Sequence, residues 1–327
     1  MAYAKSNWTL DEMPSQAGKR IFITGANSGV GYCAAVELAR RGATIVLACR
    51  DRARGEDALM RLVSDAAGPE SAASKAELVP LDLASLASVR EVAAAELARH
   101  QPLHCLINNA GIMRTPRRLE TQDGFELQFG TNVLGHFALT CLLMPALEMA
   151  RAARNEDARR VVTLSSLAHK MGRIDFDDLQ STRRYNPTRA YAQSKLANIL
   201  FAFELERRLR AANLAAVSIA VHPGVARSRL FKVRSSTGLA RVPEAIVHTA
   251  LGLLFNSTLG GAIPTLFAAT SPQAKGGAYY GPQGLQETRG GNVGPACLSP
   301  AAKDVATQHK LWQVCTELTG CDLKIEE

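Results

Sequence analysis

Six short apolar runs, each rich in β-forming residues, alternate along this chain with longer stretches of helical spacing. The runs are residues 19–24 (KRIFIT), 43–49 (ATIVLAC), 76–81, 103–108 (LHCLIN), 160–164 (RVVTL) and 216–221. Helical patterns fill 27–41, 54–67, 85–100, 124–150 and 189–212 between them. Strands that read as continuous apolar runs are buried on both faces, as in a parallel sheet. Strand–helix alternation gives βαβ units, and right-handed crossovers wind them in both directions. The expected fold is therefore α/β, a doubly wound parallel sheet of the Rossmann type. No linker or internal repeat divides the chain. One domain is expected over 18–320, after an N-terminal extension (1–17) and before a short tail (321–327). Its C-terminal half is decorated. Residues 276–300, rich in Gly and Pro, read as loop, and a final helix over 305–318 contains Trp312. Residues 226–262 lack a strand pattern and carry Leu230, Phe231, Leu239, Val242, Leu251, Leu253, Leu254 and Phe255. This region is expected to form a lid over an apolar pocket.

Composition narrows the function. With 47% hydrophobic and 21% charged residues, a 327-residue chain is an ordinary globular protein. The net charge of +8 is spread over short basic groups with no interleaved aromatics, so no nucleic-acid partner is expected. Seven cysteines occur without a CxxC pair or zinc-ligand spacing, which indicates free thiols and no metal site. The polar N-terminus holds no secretory run. The longest apolar stretch, 245–270, is interrupted by His248, Asn256, Gly260, Gly261 and Pro264, so no transmembrane segment is expected. A cytoplasmic location follows as the expectation.

The first run ends in T-G-A-N-S-G-V-G. Gly25, Gly29 and Gly31 follow GxxxGxG rather than GxGxxG spacing, but a strand precedes and a helix follows. Glycine permits close backbone approach to a pyrophosphate, and the helix N-terminus favours its charge. Asn27, Ser28 and Val30 complete the candidate loop. Arg50 closes the second strand, where an arginine suits the 2′-phosphate of NADP and an acidic residue the 2′-hydroxyl of NAD. Arg52 and Arg54 lie close by, yet Asp51 is adjacent and keeps the alternative open. Asp82, followed by Leu83, could reach an adenine edge or cap a helix. Asn108, Asn109, Ala110 and Gly111 sit where ligands bind in such folds. In Tyr191-Ala192-Gln193-Ser194-Lys195, the i, i+4 spacing puts tyrosine and lysine on one helix face. A nearby ammonium is expected to bring the phenol, normally titrating near ~10, toward the working range. Ser165 and Ser166 follow the fifth strand, where a hydroxyl could orient a carbonyl.

In this order, TGANSGVG, NNAG, the serine pair, YAQSK and His222-Pro223-Gly224 resemble the short-chain dehydrogenase/reductase family. SSLAHKMGRIDFDDL, AYAQSKLANILF and VHPGV resemble its retinol dehydrogenase-like branch, which includes the WW-domain oxidoreductases. The segment 168–189, between the serine and the tyrosine, is longer than in core members and typical of that branch. The resemblance implies Tyr191 as general acid, Lys195 lowering its pKa and holding the nicotinamide ribose, and Ser166 polarising the carbonyl. It implies Asn132 supporting a relay water. Gly25, Ser28, Gly29, Val30 and Gly31 would wrap the pyrophosphate, and Asn109, Ala110 and Gly111 would flank the ribose. Pro223, Gly224 and Val225 would line the nicotinamide. The implied activity is NADP(H)-dependent interconversion of a hydrophobic aldehyde or ketone and its alcohol. The implied assembly is a homodimer or tetramer through the helices near Tyr191 and Asn132. Two alternatives are an NADP(H)-binding sensor or scaffold without turnover, and a light-dependent protochlorophyllide reductase.

Overall fold

The computed structural model describes residues 8–67, 75–149, 159–225 and 256–323. Eight strands form one sheet in the order β3-β2-β1-β4-β5-β6-β7-β8. They are β1 (Arg20–Thr24), β2 (Thr44–Cys49), β3 (Ala76–Pro80), β4 (Cys105–Asn108), β5 (Arg160–Leu164), β6 (Val217–Val221), β7 (Tyr279–Gly284) and β8 (Arg289–Pro295). Every neighbouring pair is parallel except the last, an antiparallel hairpin. Helices α1 (Gly29–Arg40), α2 (Arg52–Asp65), α3 (Leu86–Ala98), α4 (Leu127–Met149), α5 (Pro187–Ala211), α6 (Thr258–Thr270) and α7 (Val305–Thr319) cover both faces. Two apolar clusters result, one on each side of the sheet. The single doubly wound domain read from the sequence is the fold observed.

Four elements depart from expectation. Residues 276–300 are not loop, because β7 and β8 lie within them. Residues 258–262 are not part of a lid. They begin α6, where Gly260, Gly261 and Ala262 are buried. The remainder of the expected lid, 226–255, lies outside the described residues. Among the described residues α4 is the helix long and apolar enough to span a membrane, while 245–255 of the expected apolar stretch lie outside them. Helix α4 has 23 residues, and 83% of its apolar window is buried in the fold, as in a core helix. The N-terminal extension is docked from residue 8 onward. Trp8 is buried edge-on against Phe267, with ring centres 5.5 Å apart.

The crossover topology brings the C-terminal ends of β1, β4, β5 and β6 to one edge. The loops after them are the glycine loop, Asn109–Gly111, Ser165–Ser166 and His222–Val225, while Arg50 and Asp82 follow β2 and β3, and Asn132, Tyr191 and Lys195 come from α4 and α5.

Candidate active site

The glycine loop is built around two close approaches. Gly25 has φ +65°, and a Cβ there would lie 2.9 Å from the Cα of Ala110. A Cβ on Gly31 would lie 2.3 Å from Asn109 Nδ2. That amide nitrogen donates to the Thr24 carbonyl at 2.7 Å and the Gly25 carbonyl at 3.3 Å. Asn109 thus buttresses the loop from below. Ser28 is the N-cap of α1 but makes no side-chain capping bond. The first-turn amides of α1 are left for an incoming anion. The Asn27 carbonyl is tied to α2 by Arg61 Nη2 at 3.4 Å.

Arg50 is exposed and makes no hydrogen bond or ion pair among the described residues. Asp51 is instead the N-cap of α2, its Oδ1 accepting from the Arg54 amide at 3.0 Å. The Arg54 guanidinium stands 3.9 Å from Asp51. Asp82 accepts from the Ala84 amide at 3.0 Å and so closes a turn, while Ser85 caps α3. Leu83 is buried, with its carbonyl against Gly135.

Asn132 lies on a π-helical turn, Gly130–Leu134, within α4 and is fully buried. Its Oδ1 accepts from the Ile112 amide at 2.9 Å, and its Nδ2 donates to Ser194 Oγ at 3.0 Å. Ser194 in turn donates to the Tyr191 carbonyl at 2.8 Å, so Asn132 is tied to α5 at the tyrosine. Gly111 completes the approach. A Cβ there would stand 3.4 Å from both Asn132 Oδ1 and Lys195 Nζ.

A buried histidine, which sequence reasoning missed, links these parts. Thr24 Oγ1 accepts from the Asn109 and Ala110 amides at 3.0 and 2.9 Å, so its own proton turns to His136 Nε2 at 2.9 Å. His136 Nδ1 then carries the ring proton and donates to the Asn132 carbonyl at 3.0 Å. Burial holds this ring neutral, its pKa pushed down to about 4. The signal in the sequence was a lone histidine inside an otherwise apolar helix.

Ser166 caps the 3-10 turn Leu167–Met171, its Oγ accepting from the Ala168 amide at 3.2 Å. It also stands beside the Tyr191 phenol, and its hydroxyl acts to lower the phenol's pKa. Ser165 points the other way and donates to the Lys195 carbonyl at 2.7 Å, which makes it a structural partner of α5. The long 168–189 segment is pinned over the site. Gln193 binds the Asp175 amide and the Leu179 carbonyl at 3.0 Å each, and Tyr185 bonds Thr115 and Gln128.

The expected effect of Lys195 on Tyr191 is not what the protein alone displays. Burial raises the Tyr191 pKa, with Ser166 and the Arg114 charge opposing. Lys195 Nζ sits 5.8 Å from the tyrosine ring centre and donates to the Leu164 carbonyl at 3.1 Å. It is itself desolvated, and its pKa falls to about 8. The helical spacing was right, but the depth to which both groups sink cannot be read from spacing.

This burial has a measurable consequence. A lysine held at about 8 when folded and 10.5 when unfolded keeps its proton longer in the unfolded chain. The Lys195 contribution to stability should therefore rise as pH climbs from about 8 toward 10, against the opposite slope of buried thiols such as Cys105, Cys141 and Cys315, whose pKa values burial raises. Thermal melts of wild type and Lys195→Met across this window should differ in slope, with the rise absent from the variant. Parallel slopes would mean that Lys195 is solvated.

The short chain dehydrogenase family model matches residues 19–237. The chain belongs to the short-chain dehydrogenase family. It is 40% identical over 310 residues to "Retinol dehydrogenase 14" of Mus musculus, covering 93% of this chain and 86% of that one. It is 41% identical over 319 residues to "Retinol dehydrogenase 13" of Homo sapiens, covering 94% and 88%. "Polyprenol dehydrogenase" of Mus musculus is 38% identical over 310 residues, covering 94% and 86%. A solved structure titled as a putative uncharacterized protein from Mycobacterium Paratuberculosis superposes with a TM-score of 0.75 at 40% identity, covering 97% of this chain and 99% of that one. This short-chain dehydrogenase is thus an oxidoreductase of the retinol dehydrogenase-like kind, built to bind NAD(P).

Proposed function

We propose that this short-chain dehydrogenase uses NADP(H) to interconvert a hydrophobic aldehyde or ketone and its alcohol, with Tyr191 exchanging the proton. The observation that carries this reading is the convergence of Ser166, the Tyr191 phenol and a buried Lys195 at the sheet edge. Bound NADP(H) would supply the hydride, and the protein supplies position and electrostatics. Gly25, Ser28, Gly29, Val30 and Gly31 would cradle the pyrophosphate on the α1 N-terminus. Asn109, Ala110 and Gly111 would flank the ribose, and Pro223–Val225 would face the nicotinamide. Ser166 donates to the substrate oxygen and orients it against the Tyr191 hydroxyl. Tyr191 gives that oxygen a proton in reduction and removes one in oxidation. Lys195, still an ammonium at neutral pH with its pKa at about 8, would favour the phenolate.

The cofactor choice rests on Arg50. Its guanidinium is exposed and uncommitted among the described residues, while Asp51 is spent on capping α2. An arginine suits a phosphate dianion by geometry and permanent charge. Loss of a hydrogen bond to a charged group, worth about 1.5–3 kcal/mol, should raise the KM for NADPH roughly 10- to 150-fold in Arg50→Ala. The KM for NADH should barely move. Following cofactor absorbance at ~340 nm across aromatic, aliphatic and isoprenoid aldehydes tests activity and cofactor together. Wild-type preference for NADH would overturn the Arg50 assignment. Cofactor binding without turnover on any carbonyl would favour a sensor role.

A further inference from the structure

Opposite Ser166, the β7–β8 hairpin turns through Leu285–Glu287, with Gln286 at φ +50° and Glu287 at φ +63°. Adjacent left-handed side chains are strained, and they persist where their surroundings over-determine them. The surroundings here are specific. Glu287 Oε2 accepts from Lys170 Nζ at 3.1 Å, and Oε1 accepts from the Cys297 amide at 2.6 Å. His222 Nε2 lies 3.8 Å from Oε2. The His222 ring is fully buried, and its Nδ1 accepts from the Gly224 amide at 3.1 Å. The ring is neutral, so its proton is on Nε2, which faces the carboxylate with no hydrogen-bond partner. Gly281 makes the room, since a Cβ there would lie 1.9 Å from Nε2.

Glu287 therefore binds one segment through Lys170 and sets its carboxylate against the His222 ring of the other. Lys170 belongs to the turn that Ser166 caps, and His169 of the same turn hydrogen-bonds the Ser166 carbonyl at 2.8 Å. His222 opens the Pro223–Val225 segment. The next hairpin residue, Thr288, accepts the Val225 amide at 2.8 Å and packs on Gly224, which has φ +69°. A half-exposed ion pair contributes little stability, so stability alone does not account for two strained residues.

We propose that Glu287 is a positioning residue that clamps the serine loop to the nicotinamide-facing segment and so sets Ser166 against the reacting ring. The inference rests on the cofactor reading above. It assigns the hairpin the task of aligning the two halves of the reaction, while Arg50 and the glycine loop hold the adenosine and pyrophosphate end independently.

The test separates those ends. NADPH and adenosine 2′,5′-bisphosphate, which has no nicotinamide, are titrated by calorimetry into wild type and Glu287→Gln. NADPH should bind about tenfold more weakly to the variant, while the bisphosphate should bind within about twofold of wild type. The kcat should fall more than the carbonyl KM rises, and Lys170→Met should shift both in the same direction. Equal weakening of the two ligands would mean a general loss of structure and overturn the proposal. Unchanged NADPH affinity and kcat would also overturn it. Wild-type protein that binds neither ligand would overturn the NADP(H) reading, and this inference with it.

Discussion

Tyr191→Phe should lower turnover of any accepted carbonyl by about 10²- to 10⁴-fold, the range for a positioned general acid. The ring would keep its packing between α5 and the serine loop, so NADPH affinity should stay within about twofold of wild type. The variant loses only the hydroxyl that Ser166 orients. Burial raises the free-protein pKa of Tyr191, so in reduction the phenol is protonated and ready to donate at neutral pH. In the oxidative direction the same burial opposes catalysis, and the rate should climb with pH in wild type but not in the variant. Stopped-flow single turnovers separate this loss from product release. Full turnover in the variant would remove Tyr191 from the chemistry.

Gly25→Ala should abolish measurable dinucleotide binding and destabilise the fold by about 2–5 kcal/mol. Placing a side chain at φ +65° costs roughly 1–2 kcal/mol. Forcing its Cβ to 2.9 Å from the Ala110 backbone adds about 1–3 kcal/mol of overpacking. The clash pushes apart the two loops that Thr24 and Asn109 hold together, which the proposed function gives to the pyrophosphate and the ribose. Gly18→Ala is the control. It also has positive φ, but nothing lies within 4 Å of its Cβ, so it should show the strain alone. Urea unfolding with cofactor fluorescence checks both variants. Equal destabilisation by the two would mean that the Ala110 contact relaxes freely.

Six of the seven parallel strands were legible because each is a buried apolar run bounded by turn residues, and their observed ends fall within two residues of the reading. The glycine loop and the Tyr191–Lys195 pair could be placed because their spacing is short-range, and Ser166 because it follows the fifth strand. The hairpin was not. YYGPQG and RGGNVGP show no alternation of apolar and polar residues, and their composition signals loop. They are strands because β6 offers an open parallel edge. Gly281 and Gly294 are glycines because His222 and Gln283 crowd them. That is tertiary information. The same holds for His136 and Glu287, whose partners lie 112 and 117 residues away in Thr24 and Lys170. Asp51 and Asp82 were ambiguous in the sequence because one residue type serves both ligand and cap. The backbone amides of Arg54 and Ala84 account for an oxygen of each.

The hairpin also governs how molecules of this protein can meet. A parallel sheet that ended at β7 would present a full row of unpaired backbone groups, a template for another chain's strand. Here β8 takes that row and presents its own outer side, which carries Gly290, Gly291 and Pro295. At the opposite margin β3 ends in Pro80, and its Glu77 is held by Arg20 and Arg99. Glycine, proline and fixed charge make poor strand templates. Neither margin invites continuation of the sheet into a neighbour, so assembly of this enzyme would have to proceed through helix faces, and runaway fibre growth is disfavoured by the same two strands.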